Sequence, residues 1–182
     1  MEVEETPLAG LLVFVPTPLH DERGFFTRTF DSEIARSHGV DSSSFLQESQ
    51  SRSWHGVVRG MHGRSGAGEA KLVRCARGAV WDVVVDARGG SATFGQSFSV
   101  VLDDIAFRHL YVPPGFLHGY VVTSEVADVC YRIDRPHEPR EDLAVHYADP
   151  DLDIAWPVPA ALVSARDQAA GSWSDLISAL DR

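Results

Sequence analysis

The sequence predicts an all-β domain, a sandwich or barrel with short helices at its edges. Three observations lead there. Ten short segments rich in β-branched and aromatic residues follow one another at about ten-residue spacing. Clusters of Gly, Pro, Asp and Ser divide them. Two stretches alone carry helical periodicity.

In chain order, the predicted strands are Leu11–Val15, Phe25–Phe30, Ser44–Gln50, Val57–His62 and Lys71–Arg77, then Val80–Asp86, Gln96–Leu102, Arg108–Val112, Gly119–Thr123 and Ala127–Asp134. The turns between them include Asp21-Glu22-Arg23-Gly24, Gly63–Gly68, Gly89-Gly90-Ser91 and Pro113-Pro114-Gly115. The tract Val80–Val85 is nearly all apolar, so it is expected in a core covered on both faces. One helix is predicted from Ser32 to His38, stopped by Gly39, with Asp31 or Ser32 as its N-cap. A second runs over 172–180, where Trp173, Leu176, Ile177 and Leu180 recur at helical spacing. No repeat or linker divides the chain, so residues 1–182 read as one domain.

The 182 residues are 44% hydrophobic and 23% charged, the balance of an ordinary globular protein. No apolar run reaches the roughly 20 residues of a membrane span. The start, Met1-Glu2-Val3-Glu4-Glu5, is acidic where a secretory signal is basic, so a cytoplasmic location is expected. Cys75 and Cys130 lie in apolar stretches without close-spaced partners and read as buried small hydrophobes. A net charge of −10 argues against nonspecific nucleic-acid binding. It leaves room for a small anion, because a few focused cations outweigh a diffuse negative field.

Chemistry concentrates in Val58-Arg59-Gly60-Met61-His62 and the Lys71 that opens the next apolar run. An imidazole can remove a proton near neutral pH, and fixed cations can hold the resulting anion. Asp167 is a candidate to orient His62, His118 follows a rigid turn, and the Tyr131 phenol is a candidate proton donor. Taken singly, each of these has a plain structural explanation as a surface or packing residue. His62, Glu69 and His118 also suggest a two-histidine, one-carboxylate metal set. The cations Arg64 and Lys71 beside that set would repel a divalent ion, so the metal reading ranks low.

An ordered series of motifs is more specific than any one residue. It begins with Asp21-Glu22-Arg23-Gly24-Phe25-Phe26, Gln47-x-x-x-Ser51-x-Ser53 and Val58–His62. It continues through Lys71-Leu72-Val73-Arg74, Asp82-Val83-Val84-Val85-Asp86-x-Arg88, Ser91-x-Thr93-Phe94-Gly95 and Pro113-x-Gly115-Phe116-x-His118-Gly119. Asp149-Pro150, Ile154-x-Trp156-Pro157 and Ser164-x-Arg166-Asp167 close it. Over about residues 10–170 the chain resembles the dTDP-4-dehydrorhamnose 3,5-epimerase family of the cupin superfamily.

The resemblance implies a cupin-type jelly-roll β-sandwich or barrel, usually a homodimer, without metal or redox cofactor. The implied reaction inverts C3, C5 or both of a dTDP-4-keto-6-deoxyhexose through an enolate. It makes His62 the base, Asp167 its orienting partner and Tyr131 the acid, with Lys71 and His118 near the sugar. Arg23 and Arg59 would meet the diphosphate, and Gln47, Ser49, His137, Asp142 and Arg166 would complete the substrate contacts. The chain departs from the pattern at Gly63 and Arg64, where the family has an aromatic and a Gln, and at Arg28, where it has Glu. Ser49 replaces an Asn, His137 a tyrosine associated with the thymine, and Arg166 a lysine. An altered contact shell around an intact catalytic set fits a mono-epimerase at least as well as a double epimerase. A sugar-nucleotide-binding module without catalysis and a metal-dependent cupin are the alternatives from other classes.

Overall fold

The computed structural model describes residues 1–180. Its first strands are β1 (Glu2–Glu5), β2 (Leu12–Val15), β3 (Leu19–Asp21) and β4 (Gly24–Phe26), followed by helix α1 (Ser32–Ser37). Then come β5 (Gln47–Trp54), β6 (Val57–Arg64), β7 (Lys71–Arg77), β8 (Ala79–Asp86) and β9 (Ser97–Asp103). The strands β10 (His109–Val112), β11 (Phe116–Val122), β12 (Val126–Ile133), β13 (Asp142–Ala144) and β14 (Leu162–Val163) complete the set. Helices α2 (Ala165–Gln168) and α3 (Trp173–Leu180) end the described chain. No helix among the described residues is long and apolar enough to cross a membrane.

Two sheets face one another. The first has the order β1-β2-β10-β7-β12-β5, and the second β13-β6-β11-β8-β9, with β14 added in parallel on β6. Alternation along each strand sends one set of side chains inward. Val13, Val73, Leu110 and Val129 of the first sheet meet Val80, Val84, Phe116 and Val122 of the second in the largest core cluster. The jelly-roll expectation therefore holds, and the apolar β8 tract is covered on both faces as expected. Val80 and Val84 point into that core, while Val83 and Val85 pack outward against Trp173 and Leu176 of α3. Asp82, between them, is fully buried and points the same way as Val80 and Val84. Cys75 and Cys130 are buried free thiols.

Several element bounds differ from those the sequence predicts. The segment Phe25–Phe30 contributes only Phe25 and Phe26 to the small β3–β4 hairpin. Asp21 closes that hairpin by accepting the Arg23 backbone N–H at 2.8 Å. Strand β5 starts later than predicted and runs to Trp54, because Ser51 and Ser53 read as turn formers yet face inward as a polar row. Strand β11 starts at Phe116, directly after the Pro113-Pro114-Gly115 turn. Strands β1, β3, β13 and β14, of two to four residues, carry too little pattern to be predicted. Helix α1 agrees with expectation: Asp31 accepts the N–H groups of Glu33 and Ile34.

On the outer face of the first sheet, His109 is 4% exposed and lies opposite Arg74. Burial, followed by the Arg74 and Arg132 cations, depresses its pKa to about 4. The folded state thus favours the neutral ring, and stability is complete above the unfolded-state value of about 6.5. It declines as pH falls from there towards 4, by about 3 kcal/mol in all. Urea denaturation across pH 4 to 7 should show this slope, and His109→Phe should flatten it.

Candidate active site

One cleft of about 770 Å³ opens between the sheets at the end where β5, β6 and β12 meet. It collects nearly every residue singled out from the sequence: Gln47, Ser49, Arg59, His62, Lys71, His118, Tyr131, His137, Asp142, Arg166 and Asp167. Glu69, Arg64 and Tyr120 line it as well. Arg23 is the exception. It sits in the β3–β4 turn with its side chain 85% exposed, paired with Asp21 and outside the cleft of its own chain.

The wall carrying Arg59 and His62 depends on an irregularity in β6. Tyr120 pairs with Arg59 and His118 with His62, so one residue of β11, Gly119, lies opposite two of β6, Gly60 and Met61. This β-bulge changes the alternation. Without it, Arg59 and His62, three positions apart, would face opposite sides of the sheet. With it, both face the cleft beside Tyr120 and His118. The space is tight: a Cβ on Gly60 (φ +131°) would lie 2.5 Å from the Gly119 Cα, and one on Gly119 would lie 2.7 Å from the Met61 sulfur. Met61, pointing the other way, is fully buried against the α3 layer.

His62 Nε2 lies 2.7 Å from Asp167 Oδ1. Asp167 is positioned by α2, whose N-cap Ser164 accepts the Asp167 N–H, and its carboxylate is 4% exposed. Burial lowers the His62 pKa, and Asp167 pulls it partly back. The imidazole is therefore neutral at pH 7 and available as a proton acceptor. A second pair lies beside the first: His118 Nε2 is 2.9 Å from Asp82 Oδ2. Burial raises the Asp82 pKa despite His118 and Lys71 nearby.

Across the cleft, Lys71 and Tyr131 come from the first sheet. Lys71 pairs in register with Ile133 and Val112, and Tyr131 with Ser49 and Val73. Burial holds the Lys71 amine below its ordinary value. Glu69, between Arg64 (2.8 Å) and Lys71 (3.6 Å), is engaged by two cations. Among the described residues no group of three or more His, Cys, Asp or Glu side chains converges as a metal site. The set His62, Glu69 and His118 does not fit an ion, because each member is turned to a different partner.

At the other wall Ser51 and Tyr120 share a hydrogen bond of 2.9 Å, and Arg59 Nε donates to Ser53 Oγ at 3.1 Å. Arg59 has no carboxylate partner among the described residues, whereas Arg64 and Arg166 are both ion-paired. His137, more than half exposed, accepts from Arg64 through Nδ1 and lies 3.8 Å from Asp142. Asp142 is held by Arg166 at 2.9 Å. Sequence reasoning missed Ser51 and Tyr120 as cleft residues, and Asp82 and Ser53 as the buried partners of His118 and Arg59 behind its wall. Asp82 had a visible signal, a lone carboxylate inside an otherwise apolar tract.

The model of one protein family, described as dTDP-4-dehydrorhamnose 3,5-epimerase, matches residues 5–175. A dTDP-4-dehydrorhamnose 3,5-epimerase of Pseudomonas aeruginosa is 36% identical over 179 residues, 96% of this chain and 97% of that protein. A dTDP-4-dehydrorhamnose 3-epimerase of Streptomyces niveus is also 36% identical, over 171 residues, 93% of this chain and 83% of that one. Among solved structures, a 3,5-epimerase of Legionella pneumophila in complex with dTDP-4-keto-L-rhamnose superposes with a TM-score of 0.90. It is 36% identical, and the match covers 96% of each chain.

The glycine pair at the bulge can be tested directly. Gly60→Ala combines a positive φ with a clash against the Gly119 backbone, and should cost about 2 kcal/mol or more. Thermal denaturation should show that loss, with Gly66→Ala, which shares a positive φ (+64°) but meets no atom within 4 Å, losing less and so separating the clash from the backbone strain.

Proposed function

The chain belongs to the dTDP-4-dehydrorhamnose 3,5-epimerase family, and from that membership together with the cleft geometry we infer that it epimerises a dTDP-linked 4-keto-6-deoxyhexose. The observation that carries this reading is a neutral histidine backed by a buried carboxylate on one wall of a cleft, with a phenol on the other wall.

A proton on the carbon beside a ketone is acidic because its loss leaves an enolate. In our reading His62 takes that proton and Asp167 fixes the ring orientation and stabilises the imidazolium. Charge grows on the C4 oxygen as the proton leaves. A cationic donor such as Lys71 then stabilises the transition state more than the ketone. Tyr131 returns a proton from the opposite side, and the centre inverts. Abstraction on one face and return on the other requires two groups from opposed walls, which the two-sheet architecture supplies. Arg59, the cation left without a carboxylate, is our candidate for the diphosphate. His118, Gln47 and Ser49 are assigned to the sugar and its neighbours, and His137, Asp142 and Arg166 to the nucleoside end.

Inversion at C3 alone is the second reading. The altered positions Gly63, Arg64 and His137 fit it at least as well as double inversion, and a 3-epimerase is as similar to this chain as a 3,5-epimerase. We further propose a homodimer. Leu19, Phe25 and Phe26 of the β3–β4 hairpin are 68%, 56% and 73% exposed, an apolar arm that a second copy would cover. Arg23 sits at its turn, so its assignment to the diphosphate requires that it reach the partner's cleft.

Incubation with dTDP-4-keto-6-deoxyglucose in deuterated water should place deuterium at C3, C5 or both. His62→Ala and Asp167→Asn should slow exchange by about 10²- to 10⁴-fold. No exchange with the unaltered protein would overturn the reading. Because burial depresses His62, kcat/KM should hold steady through neutral pH and decline only on the acid side of about 6.5.

Light scattering should give twice 19.9 kDa for the unaltered chain. Arg23→Ala should weaken dTDP binding by about tenfold, corresponding to about 1.4 kcal/mol. Equal parts of Arg23→Ala and Arg59→Ala chains should regain partial activity, because half the clefts of a mixed dimer would carry both arginines. A monomeric protein with full activity would refute the shared site.

A further inference from the structure

The sixteen lysine and arginine residues include a single lysine, Lys71. Its neighbour Glu69 is unevenly shared. Arg64 holds Glu69 Oε2 at 2.8 Å, while Lys71 Nζ stands 3.6 Å from Oε1, beyond ordinary hydrogen-bond reach. These side chains are 3%, 8% and 15% exposed for Arg64, Glu69 and Lys71. In so dry a setting, a carboxylate next to an ammonium closes into a tight pair unless another cation holds it.

Arg64 has little freedom to give way. Its Nη1 donates to Pro136 O at 2.9 Å, its Nη2 to His137 Nδ1 at 3.1 Å, and its backbone is paired with Asp142 in β13. Its Nε and the Glu69 Oε2 that faces its Nη2 are both buried without a hydrogen-bond partner, so Arg64 acts on Glu69 as an ion pair through charge and proximity.

We propose that Arg64 is a positioning residue that draws Glu69 away from Lys71 and so leaves the ammonium free to donate into the cleft. The inference rests on the reading of Lys71 as donor to the enolate oxygen. It assigns a function to the second of the two positions after His62, Gly63 and Arg64, where the chain departs from the family pattern. The groups facing Lys71 are Glu69 on the loop before β7, Arg64 and His62 on β6, and Asp82 on β8. Burial is the main influence lowering its proton affinity; Glu69 opposes it, Arg64 adds to it and Asp82 opposes it. Loss of Arg64 would act twice in one direction, removing a cation and releasing Glu69 to close on Lys71.

Because there is one lysine, protein grown with 15Nζ-lysine gives one side-chain signal that titrates Lys71 without reference to activity. Arg64→Gln should raise the Lys71 midpoint by about one pH unit. It should also lower kcat about tenfold with KM within about twofold. Arg64→Gln with Glu69→Gln should return both towards the unaltered values. An unmoved midpoint in Arg64→Gln, or a double variant as slow as the single one, would overturn the proposal.

If Arg64→Gln does not fold, the comparison moves to the Glu69→Gln background. Removal of Arg64 there should change kcat by less than about threefold, since no carboxylate remains to be held. A tenfold loss in that background would mean that Arg64 acts independently of Glu69, which also overturns the proposal. Lys71→Met separates the two levels of inference. Full activity in that variant would sink Lys71's role as donor, whatever Arg64 does.

Discussion

The site depends on one extra residue in β6. Strand alternation is strict, so residues three apart on a regular strand cannot share a face. The bulge opposite Gly119 breaks that rule once and brings Arg59 and His62 to the same wall. It also turns Met61 outward into the α3 layer, where it is fully buried, so the distortion is anchored from behind. Two glycines are needed because the strands approach too closely for a Cβ on either side. The dyad geometry follows: Asp167, on a helix of only four residues, meets His62 because β14 ties the segment before α2 to β6.

Charge in the cleft is arranged largely in pairs. His62 has Asp167, His118 has Asp82, Arg64 has Glu69 and Arg166 has Asp142. A buried carboxylate without a partner would take up a proton instead of remaining ionised. Pairing therefore keeps several charges in a small volume, and the two cations that remain loosely held, Arg59 and Lys71, become the informative ones. They lie on opposite walls, one on β6 and one on β7, which suits an elongated ligand carrying negative charge at one end and developing it at the other.

Much of this was legible in the sequence. Lys71–Arg77 was bounded correctly, and Val80–Asp86 nearly so, because buried strands have dense apolar patterns. The candidates His62, Lys71, Tyr131 and Asp167 were identifiable as an ordered series and do meet in one cleft. Polar strands were harder. Ser51 and Ser53 resemble turn residues, and only the tertiary structure reveals that their inward row is satisfied by Tyr120 and Arg59, with Ser51 at the cleft and Ser53 buried behind it. Arg23 is a different case: its motif suggests the site, and its side chain lies outside the cleft of its own chain, a placement that only a second copy could turn into a contact. The division of Glu69 between Arg64 and Lys71 depends on side-chain distances that spacing alone does not encode.

The guanidinium of Arg59, without a carboxylate partner among the described residues, also bears on how a ligand arrives. The protein carries a net charge of −10, so a doubly negative molecule meets repulsion at long range. Only within about a Debye length of the cleft, roughly 8 Å in physiological salt, does a local cation dominate. The field there attracts the negative end of the molecule before any other part. With Arg59 assigned to the diphosphate as proposed, encounter would be selective for orientation, favouring a molecule that approaches diphosphate-first over one that approaches sugar-first. The cell's ionic strength, by screening the distant repulsion more than the short-range attraction, would favour productive capture over rejection.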